Sequence, residues 1–445
     1  MIRLGVGGVI MADRRVPGDY RTLAKAIAAA AEGDTIVVGP GYAGAETRVE
    51  VGTDDLTISL NVAVPDLRIR LAPALGDADL TLAGGGAAQI RGNAGANRLV
   101  GNDGDNVLRG GGGSDALDGG GGLDWADYGN APGPVTVDID AGIATGAAGS
   151  DTLAGIESIR GSAFGDTLLG DESDNSLRGR AGDDLIDGRT GFDYVDYIEA
   201  EAAVTVDLAR SIATGASEGT DTLLNIENVR GSHHDDVLFG TGVENRFRGL
   251  GGDDEIHGGG GLDYIDYRDA TAFVVVDLAR ATGTGRSEGA DTLISIEKVI
   301  GSAFDDTLTG SRDDNLLRGV GGSDTLAGGR GHDSFVFSLP SEGGARGDRI
   351  VDFASAKAVK ADPGLAGDAI LIDASGFGVG EGDLAAAGVA FVTDGPATRS
   401  KAALVYDSAT HTLSWDADGS GAGAPVVLAV FENGAALSRA DFGFI

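Results

Sequence analysis

Sixteen acidic or amide side chains recur in this sequence at nine-residue intervals, and their oxygens are of the kind that bind hard metal cations. Eleven are aspartates: Asp115, Asp124, Asp166, Asp184, Asp193, Asp236, Asp254, Asp263, Asp306, Asp324 and Asp333. Five are asparagines: Asn97, Asn106, Asn175, Asn245 and Asn315. Ca²⁺ takes about six to eight oxygen ligands from carboxylates and carbonyls. The spacing therefore predicts a row of calcium sites, on the order of ten ions.

Each of these side chains is the sixth residue of a nine-residue unit that begins with glycine. The units run in four groups of four, which begin at Gly92, Gly161, Gly231 and Gly301. We call each group a quartet and number its units one to four. Residue 8 of the unit is Leu, Ile, Val or Phe everywhere except at Ala126. Such constant positions exclude a disordered glycine-rich linker, although the chain contains 77 glycines.

The units predict short strands joined by glycine turns. Residue 8 is expected to point inward from a three-residue strand, since strand side chains alternate between the two faces. The six residues before it must turn the chain, and glycine permits positive φ there. The turn glycines expected to line metal sites are Gly110, Gly113, Gly119, Gly122, Gly179, Gly182, Gly188, Gly249, Gly258, Gly261, Gly319, Gly328 and Gly331.

Two units would form one coil of a solenoid, so that every second unit stacks on the same side at about 4.8 Å. Asp166 would then lie beside Asp184, and Asn97 beside Asp115. Stacked carboxylates repel unless a cation lies between them. Several units lack glycine at residue 4, where positive φ is expected, and weaker or partly empty sites are predicted there: Phe164, Ser173, His234, Val243, Phe304 and Asp313.

Three similar spacers separate the quartets. Each begins with alternating apolar residues, as at Val204, Val206 and Leu208, and each then carries the pattern DTLxxIE. Alternation of this kind is typical of strands. The spacers are therefore predicted to be further coils of the solenoid.

The composition limits the classes of function. The chain has 69 acidic and 33 basic residues and a net charge of −36, which argues against nucleic acid as a partner and for bound cations. There is no cysteine, no transmembrane span is predicted, and the N-terminus does not have the pattern of a cleaved signal peptide. Residues 17–38 predict a short capping helix followed by a strand, with Asp19 as N-cap and Gly33 as C-terminal stop of the helix.

The units 258–266 and 328–336 match G-G-x-G-x-D-x-U-x, and the array resembles the calcium-binding nonapeptide repeats of RTX (repeats-in-toxin) proteins, including the repeat modules of alginate epimerases. The last 110 residues, with IVDF, a YDSAT hairpin and a terminal ADFGFI, resemble the C-terminal secretion domain of RTX proteins such as serralysin-type proteases. The first coils are similar to the start of pectate-lyase-like and alginate-epimerase β-helices. This resemblance implies export by a type I ABC transporter that recognises the C-terminus, to the extracellular space or the cell surface.

We therefore predict an all-β fold: a right-handed parallel β-helix or β-roll solenoid with a short N-terminal capping helix and a C-terminal β-rich secretion domain. The expected domains are 1–91 (cap and first coils), 92–336 (calcium-binding β-roll) and 337–445 (secretion domain). Neither H-E-x-x-H nor G-x-S-x-G with a plausible triad occurs, so no enzyme is predicted. The expected function is a structural, adhesive or surface-layer component, with cell-surface polysaccharide or further copies of the chain as candidate partners. The alternative is a polysaccharide-binding, alginate-epimerase-like or lyase-associated module.

Overall fold

The computed structural model describes residues 3–4, 10–40, 42, 48–62, 64, 67–361, 367–398, 401–421 and 423–445. Two compact units share the chain. The first comprises Met1–Ala200 with Ser211–Asn228, and the second comprises Glu201–Arg210 with Val229–Ile445. The predicted three-part division into 1–91, 92–336 and 337–445 stays a prediction.

Both units are parallel β-rolls, as expected from the nine-residue period. Residues 7–9 of each unit lie in a strand of three or four residues, and strands two units apart pair in parallel with an 18-residue offset. Leu99 is registered with Leu117, and Leu168 with Ile186. The sixteen residues at position 8 are 0–2% exposed, Ala126 included. Their burial supplies much of the apolar free energy that holds the coils together.

The first unit contains two sheets. The strands of one sheet are Asp13–Val16, Thr35–Val38, Leu56–Leu60, Ala78–Gly84, Asn97–Val100, Ala116–Asp118, Val135–Asp138, Ile143–Gly146, Gly149–Ala154, Thr167–Leu169, Leu185–Asp187, Ile212–Gly215 and Gly219–Leu224. The strands of the other are Arg48–Val51, Arg68–Leu71, Gln89–Arg91, Val107–Arg109, Trp125–Asp127, Ser158–Arg160, Ser176–Arg178 and Tyr194–Asp196. Arg3–Leu4 and Ile10–Met11 form a separate antiparallel pair.

The second unit repeats this arrangement. One group of strands is Val204–Asp207, Val237–Phe239, Glu255–His257, Val274–Asp277, Thr282–Gly285, Gly289–Ile294, Thr307–Thr309, Thr325–Ala327, Asp348–Ile350, Ala390–Thr393, Ala403–Asp407, Thr412–Asp416 and Val426–Phe431. The other is Arg246–Arg248, Tyr264–Asp266, Lys298–Ile300, Leu316–Arg318, Ser334–Phe337, Ala369–Ile372 and Phe442–Phe444, and Asn228–Arg230 crosses the boundary of the two units.

The spacers are more than plain coils. In the first spacer, Gly149–Ala154 stacks in parallel on Ala116–Asp118, as a further coil would. Val135–Asp138 and Ile143–Gly146 then form an antiparallel hairpin within the same sheet. The sheet is therefore locally antiparallel, which apolar alternation along the sequence does not reveal.

Helices are few and short. They are Leu23–Ala28, Ala356–Ala361 and Ala374–Phe377, with 3-10 turns at Leu208–Arg210, Leu278–Arg280 and Arg439–Asp441. The predicted capping helix is present, but Asp19 is not its N-cap. The N-cap is Thr22, whose hydroxyl accepts the Lys25 N–H at 3.3 Å, whereas Asp19 accepts the Arg15 N–H. In the part of the chain that the structure describes, no helix has the length and apolar character needed to cross a bilayer.

Candidate metal centre

Units one and two of every quartet close their turns with their own side chains. Residue 2 is always Ser, Thr, Asn or Asp, and its side-chain oxygen accepts the N–H of residue 4, as Ser162 Oγ does from Phe164 at 3.1 Å. The side chain of residue 6 in turn accepts the N–H of residue 2. The residues at position 2 are Asn93, Asn102, Ser162, Asp171, Ser232, Thr241, Ser302 and Ser311. We call these turns the capped turns.

The capped turns correct one expectation from the sequence. Residue 4 does not take positive φ in any of these eight units, whether it is Phe164, Ser173 or Gly95. Side-chain capping satisfies the turn amides, so a glycine conformation is not required there. The expectation of positive φ at residue 4 of these units is therefore wrong, and the prediction of weaker or partly empty metal sites there stays a prediction.

Units three and four turn by a different conformation. Residues 2 and 4 both take positive φ in all eight of these units, and residue 4 is always glycine, with φ from +114° to +144°. Gly182 illustrates a second reason for glycine, since a Cβ there would overlap the backbone of Phe164 in the neighbouring coil. Four non-glycine residues adopt positive φ at position 2: Arg180, Arg189, Leu250 and Val320. We call these turns the open turns.

The glycine at position 1 of an open turn is required by close approach rather than by positive φ. Gly110 and Gly179 have no positive φ, but a Cβ on either would overlap the Oδ2 atom of the aspartate five residues later. That aspartate therefore lies against the start of its own unit. The carboxylate is held in a pocket that only a glycine backbone leaves free.

The aspartates of the open turns accept hydrogen bonds across the coils. In each case Oδ1 accepts the backbone N–H of the Asp or Asn stacked two units earlier, at 2.6–2.9 Å. The pairs are Asn97 with Asp115, Asn106 with Asp124, Asp166 with Asp184, Asn175 with Asp193, Asp236 with Asp254, Asn245 with Asp263, Asp306 with Asp324, and Asn315 with Asp333. The structure therefore brings together every pair that the 18-residue coil predicts.

The second carboxylate oxygen of the open turns is buried without a partner. Oδ2 has no hydrogen bond and almost no solvent access in Asp115, Asp124, Asp184, Asp193, Asp254, Asp263 and Asp324. Burial raises the pKa of Asp184, Asp254 and Asp324 to about 8. Burial also raises the pKa of Asp124, Asp193 and Asp333 to about 7, and that of Asp115 and Asp263 to about 6. A buried carboxylate oxygen without a partner is costly, and a bound cation would remove this cost.

The capped aspartates differ, because both of their oxygens have partners. Asp166 accepts the Val135 N–H at 2.8 Å and the hydroxyl and N–H of Ser162. Asp236 and Asp306 have the corresponding partners. Sequence spacing alone does not separate these aspartates from those of the open turns.

The spacers continue the columns of carboxylates, which the sequence analysis missed. Asp151 accepts the Asp115 N–H at 2.9 Å, and Glu157 accepts the Asp124 N–H at 2.8 Å. The equivalent acceptors later in the chain are Asp221, Glu227, Asp291, Glu297, Asp348 and Asp368. The repeated pattern DTLxxIE marks most of these acceptors in the sequence, since its Asp and Glu are six of the eight.

Three tyrosines that recur after the first three quartets hold these spacer aspartates. Tyr128 donates to Asp151 at 3.0 Å, and Tyr197 and Tyr267 donate to Asp221 and Asp291 at 2.8 and 2.7 Å. All three tyrosines are at most 5% exposed. These tyrosines pack in the interior, and their hydroxyls orient the spacer aspartates.

Side chains alone do not complete a metal site. Across the described ranges, no three His, Cys, Asp or Glu side chains converge closely enough to hold an ion. Backbone carbonyls also lie at these turns, since the carbonyl oxygens of Gly110 and Gly188 lie where a Cβ on Gly92 and on Gly170 would be. Carboxylate and carbonyl oxygens are suitable ligands for a hard cation such as Ca²⁺ and poor ligands for a soft transition metal.

A family model for the RTX calcium-binding nonapeptide repeat matches residues 91–126, 160–195, 239–269 and 300–335. The chain carries four RTX calcium-binding repeat segments. The matches cover most of the capped and open turns, and RTX repeats of this kind bind Ca²⁺. No curated protein sequence matches the chain. The RTX repeats of this chain therefore form a calcium-binding parallel β-roll.

Proposed function

We propose that the aspartates of the open turns are the side chains that bind calcium, and that the chain folds when these sites fill. The observation that carries this proposal is the set of seven buried Oδ2 atoms without hydrogen-bond partners. One ion for each open turn would give on the order of eight ions, in line with the order of ten expected from the repeats.

The capped residues have a different role in this proposal. Asn97, Asn106, Asn175, Asn245 and Asn315 bring no charge, and Asp166, Asp236 and Asp306 already have partners for both oxygens. They close the turn and donate their backbone N–H to the aspartate of the next coil. The turn glycines contribute carbonyl oxygens and the space into which the carboxylate fits.

We further propose that the protein acts outside the cell as a structural, adhesive or surface-layer component. Extracellular calcium modules bind at about 10⁻⁴–10⁻³ M, so such sites would fill outside the cell and stay empty at submicromolar calcium. Export would proceed through recognition of the C-terminal region by a type I ABC transporter. The absence of cysteine and the net charge of −36 suit a calcium-rich surface. Cell-surface polysaccharide and further copies of the chain remain the proposed partners.

Two experiments test this proposal. Equilibrium dialysis of the full chain against ⁴⁵Ca²⁺ should count about eight ions, with folding followed in parallel by far-UV circular dichroism. A chain with the same spectrum in chelator and in millimolar calcium would contradict calcium-dependent folding. Deletion of residues 436–445 should leave the protein inside a host that carries a type I exporter. Turnover of an acidic polysaccharide would instead favour the epimerase-like or lyase-associated alternative.

A further inference from the structure

Arginines follow one outer face of the roll in pairs. In the first quartet, Arg91 and Arg109 are registered on neighbouring parallel strands. In the second quartet, Arg160 and Arg178 are registered in the same way. Neighbouring strands are about 4.8 Å apart, so each pair places two positive charges side by side.

A carboxylate bridges the pair in the second quartet. Glu199 contacts both Arg160 and Arg178, and Arg180 approaches it at 3.3 Å. The second compact unit repeats this bridge, since Asp269 Oδ2 lies 3.3 Å from Arg230 and 2.9 Å from Arg248. In these two copies of the repeat, the charge of the arginine pair is balanced from within the chain.

The first quartet lacks this carboxylate. Glu199 and Asp269 each lie eleven residues after the first glycine of unit four, and the residue at that position in the first quartet is Asn130. Arg109 has Asp127 as a partner, but the side chain of Arg91 is exposed and makes no ion pair or hydrogen bond with the described residues. Within the part of the chain that the structure describes, Arg91 therefore has no counter-charge in the copy where an amide replaces the bridging acid.

A cavity occupies this place. It has a volume of about 300 Å³, and its lining includes Arg70, Arg91, Arg109, Asn130 and Asp127, the acidic partner of Arg109. Arg70 contacts Glu50 and Arg109 contacts Asp127, so Arg91 is the lining arginine without an ion pair to any residue that the structure describes. The volume is at the lower end of the range for pockets that hold small molecules, and it exceeds what a single carboxylate needs.

We infer that this cavity binds the carboxylate of a small external organic acid, of the size of a sugar acid, in the position that Glu199 fills in the second quartet. Two adjacent guanidinium groups match the two oxygens of a carboxylate, and charge-assisted bonds of this geometry are among the strongest in proteins. This inference goes beyond the calcium-dependent function. It is tested on the calcium-saturated, folded chain, so its failure would leave the calcium proposal intact.

The direct test is isothermal titration calorimetry of the calcium-saturated full chain with glucuronate, and with glucose as the neutral control. Glucuronate should bind at one site and glucose should not bind. Arg91→Ala should weaken glucuronate binding at least tenfold. Acetate that bound as tightly as glucuronate would overturn the sugar-acid assignment, and equal binding of glucose would overturn the site altogether.

The repeats themselves supply matched variants. Asn130→Glu places an acid where Glu199 stands in the second quartet, and it should abolish binding because the bridge then comes from within the chain. Glu199→Asn makes the reverse change and should raise the number of glucuronate sites from one to two. Circular dichroism in calcium verifies that each variant is folded. Glucuronate binding that neither Arg91→Ala nor Asn130→Glu weakens would overturn the inference.

Discussion

The capped turns and the open turns both reverse the chain within a nine-residue unit, but they satisfy the polar groups of the turn differently. In a capped turn such as that of Ser162 and Asp166, the chain satisfies every polar group itself. In an open turn such as that of Gly179 and Asp184, glycine conformations replace the capping side chain, and one carboxylate oxygen remains without a partner. This difference supports the proposal that the capped turns are scaffold and that the open turns depend on a bound ion.

Removal of calcium should have the largest effect, because seven of the eight open turns hold a buried carboxylate oxygen without a hydrogen-bond partner. When the free calcium concentration is about 100 times the dissociation constant, each site stabilises the folded state by about 2.7 kcal/mol. Several such sites together decide whether the chain folds. Chelation with EDTA should abolish most of the β signal in far-UV circular dichroism, and millimolar Ca²⁺ should restore it. Magnesium at the same concentration is the control and should restore far less, since it prefers near-ideal octahedral geometry.

The pH dependence of the stability of the calcium-free fold should be the next largest effect. The folded-state pKa values of the open-turn aspartates are raised by burial to about 6–8. Their unfolded-state values are close to about 3.9. Since the folded state then binds more protons between these limits, stability of the calcium-free fold should fall as pH rises from about 5 to 8. Circular dichroism in EDTA at both pH values checks this. More β structure at pH 8 than at pH 5 would contradict it.

A substitution at the glycine of an open turn should destabilise strongly. Gly182 has φ +129°, and a Cβ there would overlap the backbone of Phe164. Gly182→Ala should lower the free energy of unfolding by about 2–3 kcal/mol, measured by denaturant titration in saturating calcium.

Phe164→Ala is the matched control at residue 4 of a capped turn. Phe164 is 43% exposed and does not have positive φ. The control should change stability by less than about 0.5 kcal/mol. Equal losses in the two variants would mean that the two turn types do not differ.

Loss of a cap should have an intermediate effect. The Ser302 hydroxyl donates to Asp306 at 2.8 Å and accepts the Phe304 N–H at 3.1 Å, and Ser302 is fully buried. Ser302→Ala should cost about 1–2 kcal/mol, because it leaves buried polar groups without partners. Ser173→Ala, at an exposed residue 4 of a capped turn, should be close to neutral. A neutral Ser302→Ala would show that capping does not hold these turns.

The smallest expected effect is a gain. Val320 adopts φ +77° at residue 2 of an open turn, where Gly111, Gly120, Gly259 and Gly329 stand in other open turns. A β-branched residue is strained in this conformation. Val320→Gly should raise the free energy of unfolding by about 0.5–1 kcal/mol. A loss of stability in the same denaturant titration would contradict positive φ as the limiting feature of the open turn.

The nine-residue period, the buried column at residue 8 and the pairing of side chains 18 residues apart could be predicted from the sequence, because each depends on spacing alone. It did not separate Asp166 from Asp184, since the difference lies in which backbone N–H each carboxylate meets. The polar residue 2 of every capped turn was visible, but its role depends on turn geometry. Asp151 and Glu157 were missed because they do not follow the nine-residue spacing, although they continue the same columns in space.

The central claim is that open-turn aspartates bind calcium and capped ones do not. The stacked pair Asp166 and Asp184 allows the most direct measurement: the number of ⁴⁵Ca²⁺ ions bound by Asp184→Asn and by Asp166→Asn, counted by equilibrium dialysis. Asp184→Asn should bind one calcium ion fewer than the unsubstituted chain. Asp166→Asn should keep the full number, since five of the eight capped positions already hold asparagine. Loss of an ion in Asp166→Asn with the full number in Asp184→Asn would contradict the account.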